Sequence, residues 1–189
     1  MRSNRPRRAN IRWSSALSTV AALTLAGLAS PAATFPETAA AQAAAPAPLA
    51  GGWRLARAPI PGSERGSVAL IHAVDPLRSD IGVAGLMLRC GENGFDAILV
   101  VVTPYPPSAA PQVTIATAKG SWAFSASVLP TGAALALPAA ASDLARTVWR
   151  SEAELSVSIS DGGARVSGVI PTPSFDAALR TLSASCPAP

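Results

Sequence analysis

The residues of this sequence that could do chemistry cluster between positions 75 and 80, just before a predicted strand. Asp75, Arg78 and Asp80 form a mixed-charge loop, and Arg89 follows on that strand. Guanidinium groups pair well with carboxylates and phosphates, so this set could bind an anionic group. The alternative is structural: Asp80 pairs with Arg78 or Arg89, or its carboxylate closes the turn as an Asx interaction. We take these four residues as the candidate binding site.

Three carboxylates are candidates for a second kind of chemistry, acid–base hydrolysis of an envelope polymer. Asp75 and Asp80 belong to the same loop, and Glu92 lies in the glycine-bracketed turn at 91–94. Hydrolysis of this kind needs two carboxyl groups that face each other across a pocket, roughly 5–9 Å apart. The sequence does not establish such a separation, so hydrolysis is the alternative to binding.

Other catalytic and metal-binding patterns are missing from the sequence. His72 is the single histidine and stands inside a predicted strand, where we expect a structural role. A histidine-rich zinc site is therefore excluded. If Cys90 and Cys186 form a disulfide, a Cys/His pair has no nucleophile. No phosphate loop or dinucleotide fingerprint occurs, and we expect neither a metal nor a cofactor.

The first fifty residues differ from the rest of the chain. Residues 1–13 hold five arginines and no acid, and an apolar run of fourteen residues follows at 16–29. This order, with small-residue cleavage sites at 27–29 or 41–43, is typical of a secretory signal peptide. An uncleaved anchor is the alternative, but a membrane span needs ~20 apolar residues. We assign 1–43 to a signal peptide.

An Ala/Pro-rich stretch follows the signal peptide. Residues 44–52 have almost no large apolar side chain with which to offset the entropy of ordering, so we expect a disordered linker there. Residues 53–189 then form one exported domain, long enough to bury a core. We expect it to be periplasmic or secreted, with no stable membrane span after cleavage.

The formal net charge of +4 belongs to the N-terminal segment. Residues 1–50 hold five of the fifteen basic residues and one of the eleven acidic residues. The remainder has ten of each and is neutral. Nucleic acid and anionic membranes are recognised by basic patches, so the composition does not favour them as partners. We expect an envelope protein or a cell-wall component instead.

Cys90 and Cys186 are the two cysteines of the chain. In an exported protein a cysteine pair is most simply one disulfide, and two buried free thiols are the alternative. The bridge would close a loop of about 100 residues. The chain-entropy argument assigns such a loop about 4.7 kcal/mol as an upper limit.

Alternating apolar and polar residues predict six to eight short strands among nine candidate segments. Residues 98–102 are apolar on both faces, which indicates a central strand. A short helix is expected at 139–147, after Pro138. The candidate strands are 53–57, 67–74, 83–90, 98–102, 112–118, 122–128, 133–137, 152–159 and 164–170.

A second helix is expected near the C-terminus. Thr172 is a possible N-cap, and Phe175, Leu179 and Leu182 are spaced as one apolar stripe. This stripe would lie on a sheet and bring Cys186 to Cys90. The fold class is therefore mainly β, an antiparallel sandwich or barrel-like domain with a C-terminal helix and one disulfide.

These motifs support a resemblance to a known family. Residues 86–90 read LMLRC, and a hairpin strand follows. The C-terminal segment carries the spaced residues Phe175, Ala178, Leu182 and Cys186. This layout is similar to the TagO/VasI-like family of small exported proteins associated with type VI secretion. It is more distantly similar to the invasion-associated locus B family. The resemblance covers residues 80–186 and implies a small exported alphaproteobacterial β domain with an accessory role in a secretion system.

The leading functional hypothesis is a non-catalytic, envelope-associated module that binds a protein or a cell-envelope component. The envelope-polymer hydrolase is the alternative. A third hypothesis is a structural subunit of an envelope assembly, for which Trp53, Trp122 and Trp149 would form an exposed apolar patch.

Overall fold

The computed structural model describes residues 45–60, 63–91 and 94–186, without the side chains of residues 60 and 63–65. The predicted signal peptide and the candidate Glu92 lie outside the described residues. The strands are β1 (Ala47–Pro48), β2 (Arg54–Ile60), β3 (Ser63–Ala73), β4 (Val83–Gly91), β5 (Gly94–Val101), β6 (Gln112–Thr117), β7 (Gly120–Ser125), β8 (Ser127–Val128), β9 (Ala134–Ala136), β10 (Glu154–Asp161) and β11 (Ala164–Pro171). The helices are α1 (Ala139–Thr147) and α2 (Phe175–Ser185), and 3₁₀ turns cover Ala50–Gly52 and Trp149–Ser151.

The described strands form two antiparallel sheets. The larger has the order β1-β2-β3-β4-β5-β9-β8, and the smaller has the order β11-β10-β6-β7. One hydrophobic core takes residues from both, for example Leu86 and Leu88 from β4 and Ile115 from β6. Alternate residues of each strand supply this core, as strand geometry requires. The predicted fold class, mainly antiparallel β with a C-terminal helix and one disulfide, is confirmed.

The central hairpin is β4–β5. It is paired without interruption from Gly85 to Gly91, where Cys90 lies opposite Phe95 and Gly91 opposite Gly94. β5 also pairs with β9 on its other side. This position explains why β5 is apolar on both faces, and it confirms the prediction of a central strand.

Strand pairing begins earlier than the sequence indicates. Ala47 lies opposite Leu55 and Pro48 opposite Arg54, inside the stretch expected to be a disordered linker. The Leu49 amide also donates to the Trp53 carbonyl at 2.7 Å. The small side chains of this stretch give little reason to expect order, whereas its backbone hydrogen bonds to β2 hold it in place.

Helix α2 is held by its apolar stripe and by Trp53. Phe175, Leu179 and Leu182 are buried. The indole of Trp53 stacks on the Phe175 ring with centroids 4.7 Å apart, and its Nε1 donates to the Pro173 carbonyl at 3.0 Å. No helix among the described residues is long and apolar enough to cross a membrane.

The structure joins Cys90 to Cys186 in a disulfide, as predicted, with their Cα atoms 5.5 Å apart. The capping role predicted for Thr172 is wrong. The Thr172 hydroxyl donates to the Glu152 carbonyl at 2.6 Å, and its amide donates to the Ala153 carbonyl. Thr172 therefore ties the chain to the segment before β10, and Ser174 takes the position before α2.

Candidate functional site

The predicted binding loop covers the free edge of β11. The Asp75 amide donates to the Val169 carbonyl, and the Asp80 amide donates to the Ser167 carbonyl, each at 2.8 Å. In return, the Ser79 hydroxyl accepts from the Val169 amide at 2.9 Å, and Asp80 Oδ2 accepts from the Ser167 amide at 2.6 Å and its hydroxyl at 2.9 Å. These bonds from Ser167 lower the pKa of the Asp80 carboxyl. The loop thus extends the sheet in place of another strand.

Arg78 is held between two carboxylates. Its Nε lies 2.8 Å from Asp75 Oδ2, and its NH2 lies 2.7 Å from Glu154 Oε2. The hydrogen bond from Arg78, followed by one from the Leu77 amide, lowers the pKa of Asp75. The bond to Leu77 is an Asx turn, made by Asp75 rather than by Asp80 as the sequence suggested.

Arg89 lies apart from this loop. Its guanidinium pairs with the Asp96 carboxylate, directly opposite on β5, at 3.3 Å. Arg89 lies six positions beyond Val83, which is beside the loop, and this corresponds to about 20 Å along an extended strand. The four predicted residues therefore do not converge on one site, and the loop residues among them are engaged with the sheet.

Three described carboxylates, Asp75, Asp80 and Glu152, have lowered pKa values, which is opposite to what a general acid needs. Asp75 and Asp80 are held ionised by their hydrogen bonds. Glu152, whose side chain is 6% exposed, lies 2.9 Å from the Lys119 ammonium, and the bond from Lys119 lowers its pKa. A carboxylic acid that donates a proton near neutral pH needs a raised pKa.

His72 has the structural role that we expect for it. The ring is buried beside the Trp53 indole, with centroids 4.6 Å apart. Its Nδ1 lies 2.7 Å from the Ala73 carbonyl, and its Nε2 lies 2.9 Å from the Gly51 carbonyl. His72 thereby anchors the Ala50–Gly52 turn to β3. Within the described ranges, no three potential metal ligands cluster.

The structure brings together a site that the sequence does not reveal. A groove of about 320 Å³ runs between α2 and the segment formed by α1 and the following 3₁₀ turn. Arg146, Arg150 and Arg180 line it, together with the buried side chains of Phe95 and Leu179. We call it the arginine groove.

Asp176 joins the two walls of the arginine groove. Its Oδ1 lies 2.8 Å from the Arg150 NH2, and its Oδ2 pairs with Arg180, one turn further along α2. The Arg150 side chain is 50% exposed and the Arg180 side chain 71% exposed. One carboxylate thus orients two guanidinium groups that both remain accessible to a ligand.

Arg146 forms the third corner of the groove. Its guanidinium lies over the Phe95 ring, 4.6 Å from the centroid, and its NH1 lies 2.9 Å from Asp143 Oδ1. Such stacking orients the planar cation on an apolar surface. Among the described residues, three guanidinium groups line the groove, and two of them, Arg150 and Arg180, share the carboxylate of Asp176.

A second hollow of about 380 Å³ continues from the groove beside the start of α2. Arg150 and Asp176 line both. The two hollows therefore offer an elongated ligand a path past the Arg150–Asp176 pair.

Sequence reasoning missed the groove because its members are distant in the chain. Arg146 and Arg150 are four residues apart, a spacing visible in the sequence, but Arg180 comes from α2. Only the packing of α2 beside the 3₁₀ turn brings them together. The neutral composition hid this local concentration of charge.

In comparisons with known proteins, neither a family model nor a curated protein nor a solved structure matches this chain. The resemblance to the TagO/VasI-like and invasion-associated locus B families stays a prediction.

Proposed function

We propose that this protein is an exported, non-catalytic module that binds an anionic component of the cell envelope in the arginine groove. The observation that carries the proposal is that the accessible guanidinium groups of Arg150 and Arg180 converge on Asp176, beside the buried Phe95 and Leu179. The N-terminal signal pattern and the disulfide support export, because disulfides persist in oxidising compartments. An accessory role in secretion is the finer hypothesis that the family resemblance adds.

The chemistry of the groove favours a ligand that carries a carboxylate or phosphate next to an apolar group. Arginine binds both anions through paired N–H donors. Such a ligand would share Arg150 and Arg180 with Asp176, while its apolar part contacts Phe95 and Leu179. The carboxylate-bearing peptides of a cell wall have this chemistry, so isolated cell-wall sacculi are the probe of choice.

The test is co-sedimentation of the purified domain with sacculi. We expect the double variant Arg150→Gln/Arg180→Gln to bind at least tenfold more weakly than the wild type. A hydrogen bond to a charged group contributes about 1.5–3 kcal/mol, and every 1.4 kcal/mol is tenfold in affinity. The matched control is Arg165→Gln, which removes a cation on β11, away from the groove, and should leave binding within twofold.

Ionic strength gives an independent readout. Because the groove is exposed, its attraction for an anion should weaken as salt rises from about 0.05 M to 0.5 M and the Debye length shortens. If the affinity for sacculi changes neither with salt concentration nor in the double variant, the proposed site is contradicted. Absence of any binding to sacculi would contradict the proposed ligand.

Export is tested by the intact mass of the protein from the periplasmic fraction. We expect cleavage near Ala43 and alkylation of Cys90 and Cys186 only after reduction. A full-length mass with two alkylated thiols before reduction would contradict export.

A further inference from the structure

We propose that strand β7 pairs with β7 of a second copy of this chain, antiparallel across a twofold axis at Ala123. The two four-stranded sheets would then join into one sheet of eight strands. This interaction is separate from the arginine groove and independent of the proposed function.

The sheet edges are not equivalent. β1 and β8 are edges of only two residues each, and β1 contains Pro48. The edge of β11 is covered by the loop containing Asp75 and Asp80. β7, with the sequence GSWAFS, is a six-residue edge without charge or proline. Short strands, prolines, charges and covering loops are the devices that prevent edge pairing, and within the described residues β7 has none of them.

The register of the hairpin shows which β7 backbone groups point outward. Thr117 lies opposite Gly120 across a two-residue turn, and the Ala126 amide donates to the Pro111 carbonyl at 3.0 Å. Antiparallel pairs alternate between bonded and non-bonded. Every second residue therefore directs its N–H and C=O away from β6. These residues are Ser121, Ala123 and Ser125, all with exposed side chains.

The outward residues are symmetric about Ala123, and this symmetry selects a second copy as the occupant. Ala123 would lie opposite the partner subunit's Ala123, and Ser121 opposite the partner subunit's Ser125. Three bonded pairs give about six N–H···O bonds. A twofold interface uses the same patch on both subunits, and this patch places small, uncharged side chains opposite one another.

The aromatic residues on the other face of β7 fit the same register. Trp122, half-buried at the edge, would lie opposite the partner subunit's Phe124, which is buried within its own sheet. The twofold axis generates this pair twice, in non-bonded positions where side chains approach closely. Six-residue edges bury far less than the ~1,200 Å² of a stable interface, so we expect a reversible, concentration-dependent dimer.

Cysteine crosslinking of the exported, disulfide-bonded protein tests the register. In Ala123→Cys the two introduced residues would have Cα atoms about 5.5 Å apart, within disulfide range. This variant should form a covalent dimer on mild oxidation. Ser121→Cys alone should not, because four residues of strand, about 13 Å, separate the two copies of position 121. A mixture of Ser121→Cys and Ser125→Cys proteins should crosslink to each other.

Sedimentation equilibrium of Ala123→Pro gives a second measurement. Proline removes the outward N–H and leaves the bonds to β6 intact, as edge positions permit. We expect at least a tenfold weaker dimer. Ala123→Thr keeps the N–H and serves as the control, with affinity close to wild type. The proposal is overturned if the wild type stays monomeric to millimolar concentration, or if Ser121→Cys crosslinks as readily as Ala123→Cys. If Ala123→Pro fails to fold, the crosslinking series decides alone.

Discussion

Reduction of the Cys90–Cys186 disulfide should destabilise the domain by about 3–4.5 kcal/mol while leaving it folded at 25 °C. The two residues are 96 positions apart in sequence. For a closed loop of this length, the chain-entropy argument gives about 4.7 kcal/mol, most of it from the greater freedom of the reduced unfolded chain. That figure is about a two-thousandfold change in the ratio of unfolded to folded protein.

The native contacts near the bridge explain why we expect the reduced domain to stay folded. Phe175 stacks on Trp53, and Leu179 and Leu182 are buried. None of these contacts involves the sulfur atoms, so we expect them to persist after reduction. The effect is then in the unfolded state, and its size falls below the upper limit because unfolded chains are more compact than random coils.

Urea unfolding monitored by tryptophan fluorescence, with and without a reducing agent, measures the difference. We expect a lower midpoint and a steeper dependence on urea after reduction, because the open chain exposes more surface when it unfolds. The double variant Cys90→Ala/Cys186→Ala should resemble the reduced wild type and be indifferent to the reductant.

Two results would refute this reasoning. A free-energy difference below about 1 kcal/mol would mean that the bridge does not restrict the unfolded chain as a loop of this length should. A midpoint that moves without any change of slope, accompanied by rapid hydrogen exchange confined to α2, would place the effect in the native state instead.

The remaining predictions concern single side chains. Stability should fall on acidification below about pH 4, because the folded-state pKa of Asp80 lies below its ordinary value of 3.8. The stabilisation from the ionised Asp80 carboxylate is lost as the pH falls through that lower pKa. In Asp80→Asn, the melting temperature should therefore depend less on pH in the acid range. In urea unfolding, Trp53→Phe should lower the free energy of unfolding by about 1–3 kcal/mol more than Trp149→Phe. Both indoles are buried, but among the described residues only the Nε1 of Trp53 has a hydrogen-bond acceptor. Equal costs would contradict this. Gly85→Ala should cost about 3 kcal/mol of stability or more, because the added Cβ would lie 2.2 Å from a main-chain carbonyl oxygen of β3. Gly162→Ala should cost only about 1 kcal/mol, because its Cβ would have no atom within 4 Å and the only strain comes from a φ of +54°. The melting temperatures of the two variants test this difference.

Most strands were predictable because they have strong local patterns, whereas β1, in the Ala/Pro-rich stretch, has none. β10 alternates cleanly between apolar and polar residues, and the β4–β5 hairpin brackets its turn with glycines. The pairing of Cys90 with Cys186 followed from the count of cysteines. Helix α1 was predicted with the bounds that the structure shows, Ala139–Thr147.

The site was not predictable in the same way, since it depends on packing between distant segments. The sequence places Asp75, Arg78 and Asp80 in a charged loop, but it does not show that a sheet edge lies beside them. Likewise, Arg150 and Arg180 belong to different elements, and only their shared contact with Asp176 makes them neighbours. Local patterns specify elements, whereas the chemistry arises where elements meet.

The loop that covers β11 also determines where the domain can be modified for labelling. Length and exposure make the 75–80 loop look suitable for an inserted tag, yet its amides and side chains complete a sheet edge. An insertion there would uncover backbone donors and acceptors and promote aggregation. The Gly162–Gly163 turn between β10 and β11 has open space around both residues. A fluorophore or an epitope attached there should disturb the domain less than one inserted in the 75–80 loop.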